Sequence, residues 1–131
     1  MKLLSPILAE LTPGRVAFRC PGCRDRHVVK VVPDGKPPCW TYNGNPSAPT
    51  FRDSIKVTGI QTVQDDNYKW TGEWVRGPDG EPVPHVCHSY VTDGRIQYLP
   101  DCTHALAGQT VELSPYPVSQ TIADSDGDDG A

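Results

Sequence analysis

The chain has 131 residues, a formal net charge of −4 and 37% hydrophobic residues, with 14 prolines and 12 glycines. That length fits one domain, and so much Pro and Gly favours short strands and turns over long elements. Asp124, Asp126, Asp128 and Asp129 account for the whole net charge, so the body is neutral, which argues against broad nucleic-acid binding, and no stretch approaches the ~20 apolar residues of a membrane helix.

In chain order, residues 1–14 are expected as a short helix or an extended arm. Leu3, Leu4, Ile7, Leu8 and Leu11 recur at helical spacing, and Pro13-Gly14 ends the segment. Pro6 and Glu10 interrupt the apolar run too early for a secretory signal, so a soluble protein of a reducing cytoplasm is expected. Next, "RVAFRCPGCRDRHVVKVV" reads as strand, tight turn, strand. Val16 and Phe18 share one face of the first strand, and His27, Val29 and Val31 one face of the second. Gly22 suits a turn that needs a positive φ.

"CWTYNGNPSAPTF" offers a strand fragment, an Asn43-Gly44 turn and a Pro-rich connector. "SIKVTGIQTV" reads as a strand with a bulge at Gly59, and "NYKWTGEWV" as another strand. The three tryptophans fit a β core and its edges. "HVCHSYVTDGRIQYL" is the clearest hairpin. Asp93-Gly94 is a favoured type I′ pair, and it sets Val91 against Ile96, Ser89 against Tyr98, and His88 against Leu99. "THALAG" is expected as one helical turn, and "QTVEL" as a last strand. The fold expected is mainly β (small, β-rich α+β). A single zinc-stapled domain of short antiparallel hairpins would span 15–113, followed by a Pro-rich, then acidic, disordered tail over 114–131.

Five cysteines and four histidines carry the chemistry. Cys20-x-x-Cys23 has zinc-knuckle spacing, in which two thiolates on one turn reach one ion. Strands flank it, whereas a thioredoxin-type redox pair would open a helix. A structural zinc needs two more ligands, and the base of the 87–104 hairpin offers Cys87, His88, Cys102 and His104. Cys87 and His88 are neighbours, so in a regular strand they point to opposite faces. Both reach one ion only if the strand is kinked. Cys87 with Cys102, or His88 with His104, avoids that demand. His27 is either a fourth ligand or a hydrogen-bonded strand histidine. His85 is a lesser candidate, and Cys39 is read as a small buried hydrophobe.

The segments "FRCPGCRDRHVVKV", "CWTYNGNPSAPTFRDSI" and "CHSYVTDGRIQYLPDCTHALAGQTVEL" resemble a family of small Cys/His-rich phage and prophage proteins of unknown function. Some of its members carry an ammonia monooxygenase label, which the lack of a membrane segment argues against. A more distant bacterial branch is similar in a Cys-rich turn, a Pro-Ser-Ile-like segment and a Cys-then-His strand. That similarity implies Cys20, Cys23, Cys87 and His88 as the metal set, with Cys102 and His104 in second rank.

The function expected on these grounds is a phage-encoded zinc-binding accessory protein, a virion component or host-directed effector. It would work through contacts with a phage structural or host protein, in the host bacterial cytoplasm or the virion, without membrane or nucleic acid. The alternative is a metal-dependent, hydrolase-like enzyme, since the ligand candidates exceed four and Asp101 beside Cys102 could serve as a base. A weaker alternative is a nucleic-acid-binding knuckle.

Overall fold

The computed structural model describes residues 1–67 and 69–116. Among these residues the chain is all β, in antiparallel strands without a helix. The acidic part of the expected tail lies outside the described residues.

The first sheet has four strands in chain order, β1 (Lys2–Ser5), β2 (Leu8–Thr12), β3 (Arg15–Cys20) and β4 (Asp25–Lys30). The N-terminal segment, expected as a helix or arm, is thus a hairpin edge of this sheet. Its apolar residues satisfy a helical period, but Pro6-Ile7 turns the chain and Leu8 and Ala9 are buried against the body. Tertiary burial overrides the local pattern. Between β3 and β4, Val16 pairs with Val29 and Phe18 with His27, and all four side chains are buried.

The second sheet runs in the order β11-β10-β9-β6-β5. Its members are β5 (Thr41–Tyr42), β6 (Phe51–Ile60), β9 (Pro84–Thr92), β10 (Arg95–Tyr98) and β11 (Thr110–Glu112). The β9–β10 hairpin has the expected register, with Val91 opposite Ile96 and Ser89 opposite Tyr98. Asp93 and Gly94 both have positive φ, as a type I′ turn requires. A separate hairpin pairs β7 (Thr62–Gln64) with β8 (Trp70–Trp74). Trp70 and Trp74 are exposed and lean on each other at 4.8 Å, outside the core. Residues 104–108 form consecutive turns in place of the expected helical turn.

Side chains of both large sheets make one core: Leu8, Val16, Phe18 and Val29 from the first, and Phe51, Ile55, Val91, Ile96 and Tyr98 from the second. Phe18 stacks on Phe51 across it, centroids 6.2 Å apart. Each such side chain contributes about 1.5–3 kcal/mol by burial. The body continues past residue 113: Ser114 bridges Arg19, and Tyr116 is buried and donates its backbone N–H to the Pro6 carbonyl.

Two irregularities set side chains beside the outer face of β9. On β6, Phe51 pairs with Val91 and Ile55 with Ser89. Arg52, Asp53 and Ser54 therefore face the single residue Tyr90, a bulge that bends the strand and re-aims its side chains. The Arg52 guanidinium holds the bulge by donating to the Phe51 and Val91 carbonyls at 2.8 and 3.0 Å. After β10, Cys102 N–H donates to the Leu99 carbonyl, and this turn carries Asp101 back beside β9.

Candidate active site and metal centre

β9 is regular where it matters, so its side chains alternate. Cys87, Ser89 and Val91 are buried on the core face, while His88 and Tyr90 lie on the other face. The kink that would bring Cys87 and His88 to one ion does not occur.

His88 takes part in a different arrangement. Its Nε2 lies 3.0 Å from Ser54 Oγ, and its Nδ1 lies 3.2 Å from Asp101 Oδ2. An ionised carboxylate only accepts, so Nδ1 carries the proton and Nε2 accepts from the serine hydroxyl. Serine, imidazole and carboxylate in this order match the arrangement that serine hydrolases use, which is recognised by geometry and not by chain order. Ser54 and His88 each have a support of their own. The β6 bulge presents Ser54, and Trp40 Nε1 donates to the Ser54 carbonyl at 3.1 Å. Cys102 Sγ accepts from His88 N–H at 3.2 Å and donates to the His88 carbonyl at 3.3 Å, which fixes the histidine backbone. Ser54 and His88 are half-buried, and Asp101 is about half exposed.

The opposite face of β9 gathers sulfur. Cys20, Cys23, His27 and Cys87 offer ligand atoms that all lie within 4.8 Å of one another. Cys87, Cys102 and His104 form a second, three-membered group. These groups could hold a metal ion. Hydrogen bonds from Cys23 and Cys87 hold the Cys20 thiol well below its ordinary pKa. Hydrogen bonding to Cys20 pushes the Cys23 and Cys87 thiols up. One thiolate is favoured, and ionising a second or third thiol in the same buried space would need a cation beside it. Tyr98 O–H, kept protonated chiefly by burial, sits 3.1 Å from Cys20 Sγ and accepts from Gly22 N–H at 2.9 Å.

Two details of this turn differ from expectation. The positive φ falls on Arg24, whose N–H closes the turn onto the Cys20 carbonyl, and not on Gly22. Gly22 is needed for room, because a Cβ there would meet His104 Cε1 at 2.3 Å. Burial lowers the pKa of both His85 and His104. Of the remaining sequence candidates, Cys39 is exposed and not a buried hydrophobe.

A family described as the bacterial ubiquitination-like system serine protease (BubE) matches residues 6–99. The chain belongs to this family. The match includes Ser54 and His88 as well as Cys20, Cys23, His27 and Cys87, and stops two residues before Asp101. Comparisons with curated proteins and with solved structures gave no match. The family overturns the expected phage-encoded accessory protein acting by contacts alone, since its description is that of a protease in a bacterial system. No helix among the described residues is long and apolar enough to cross a membrane.

Ser54 is the functional candidate that residue patterns missed, since one serine in "FRDSI" has no local mark. The available signal was the Pro-Ser-Ile-like segment of the resemblance, in which Ser54-Ile55 takes the Ser-Ile place.

Proposed function

We propose that the protein is a serine protease in which Ser54 is the nucleophile, His88 the general base and acid, and Asp101 the residue that orients His88. The observation that carries this reading is the pair of hydrogen bonds from one imidazole to Ser54 Oγ and Asp101 Oδ2. In the first step Ser54 Oγ bonds to the substrate carbonyl carbon while its proton moves to His88 Nε2. The C–N bond then breaks, and His88 returns the proton to the leaving amine. Water repeats the sequence on the acyl-serine, releasing the acid and restoring the Ser54 hydroxyl. Asp101 stabilises the imidazolium formed in between.

The hydrolase alternative is thereby kept without its metal step: Asp101 acts through His88 and not on a metal-bound water. The family description favours a protein substrate belonging to a ubiquitination-like system. We take the cation of the sulfur cluster to be zinc, since thiolates with imidazole suit it. Its role is structural, because the cluster and the serine lie on opposite faces of β9.

An organofluorophosphonate probe tests the reading, because it reacts with an activated serine whatever the natural substrate. Mass spectrometry is expected to find one adduct, on the peptide containing Ser54, and none in Ser54→Ala or His88→Ala. Labelling at another residue, or equal labelling of the Ser54→Ala variant, would overturn it.

A further inference from the structure

We propose that Cys20, Cys23, His27 and Cys87 are the four ligands of one closed metal site, and that His85 and His104 serve its sulfurs from outside. The inference rests on the zinc reading and settles its ligand set.

Three histidines compete for the fourth place. His104 is set aside by its tautomer. Leu106 N–H donates to His104 Nδ1 at 3.2 Å, so that nitrogen is bare and the proton sits on Nε2. That Nε2–H points at Cys87 Sγ, 3.4 Å away. A ligand nitrogen must be unprotonated, so His104 is a donor to a thiolate, of the kind that tunes a metal site from outside. The same reasoning removes Cys102. Its thiol hydrogen is directed at the His88 carbonyl, and a metal-bound sulfur carries none.

His85 approaches one sulfur only, Cys23 Sγ at 3.2 Å, and it is partly exposed. His27 differs from both. A ring nitrogen of His27 lies within 4.8 Å of all three sulfurs. The residue is 5% exposed, and no hydrogen bond of ordinary geometry reaches its Nε2. A buried ring nitrogen without a hydrogen bond costs free energy, and coordination removes that cost. Tetrahedral zinc with Zn–S of about 2.3 Å and Zn–N of about 2.0 Å needs ligand atoms roughly 3.5–3.8 Å apart. The Cys20 and Cys87 sulfurs are already 3.9 Å apart.

Cys20 ends β3, Cys23 lies in the β3–β4 turn, His27 comes from β4 and Cys87 from β9. One ion would therefore tie the first sheet to the second, at the residue next to His88.

The test is metal content and cobalt(II) spectroscopy on the full chain. Purified protein is expected to hold one zinc per chain and to give tetrahedral cobalt(II) bands with sulfur charge transfer. His27→Ala should weaken zinc binding by on the order of 10³-fold in chelator competition. His85→Ala and His104→Ala should keep the ion with a loss of about 10-fold. If His27→Ala does not fold, His27→Cys replaces it: an all-cysteine site should bind cobalt(II) with stronger sulfur charge transfer. Loss of the ion in His85→Ala with retention in His27→Ala would overturn the ligand set while leaving the zinc reading intact. Protein with no zinc and no affinity for it would overturn both.

Discussion

Cys87 and His88 are neighbours on one strand and serve two unlike sites. On the core side of β9, thiols and a buried histidine crowd together with Tyr98 and Gly22 beneath them. On the other side a half-buried imidazole links a serine hydroxyl to a carboxylate about half exposed. The first arrangement is the more deeply buried, although Cys23, His27, His85 and His104 also line a cavity beside it, and it suits an ion that holds sheets together. The second is partly exposed to solvent. The strand separates them because its side chains alternate, so the histidine proposed as catalytic can sit next to a cysteine of the sulfur cluster without joining that cluster.

Substitutions can break this separation into its parts. The largest effect is expected from His88→Ala, which should lower probe labelling and hydrolysis by on the order of 10⁵-fold while zinc per chain stays unchanged. Loss of zinc in that variant would join the two sites into one. Asp101→Asn should cost roughly 10³–10⁴-fold in hydrolysis, because the amide favours the wrong tautomer of His88. Thermal stability should barely move, since a partly exposed pair such as His88–Asp101 contributes little to folding.

Gly22→Ala probes the metal face alone. The new methyl displaces the His104 ring from the Cys87 sulfur, and the expected loss is about 1–3 kcal/mol of stability, measured by denaturant unfolding. The double variant Gly22→Ala/His104→Ala should recover part of that loss, since the clash is then gone. Cys102→Ala removes the two contacts that fix the His88 backbone. A fall in hydrolysis of about 10-fold is expected, with metal retained. The smallest effect belongs to Cys39→Ser: Cys39 is exposed and belongs to neither cluster, so activity, zinc content and stability should each match the parent protein.

Much of the scaffold is legible in the sequence. The Asp93-Gly94 turn fixed the register of β9 and β10, because positive φ at two successive residues selects that hairpin. The knuckle at Cys20 and Cys23 and the alternation of β3 and β4 were equally local. The alternation rule also warned that Cys87 and His88 point apart, and the structure follows the rule over the metal set that the resemblance implied.

What tertiary structure decided is non-local. Ser54 lies 34 residues from His88, and Asp101 lies 13 residues beyond it. Only the β6 bulge and the turn after β10 bring the three together. His27 reads locally as one more inward residue of a hairpin strand. Only the approach of β9 puts a third sulfur beside it and leaves it buried among possible ligands. The sequence by itself determined the strands, their turns and the residue types available for chemistry, since these depend on backbone preferences within a few positions. Which side chains meet, and so which histidine lies beside a serine and which among the sulfurs, depends on how distant strands pack, and that was settled by the shared core of the two sheets.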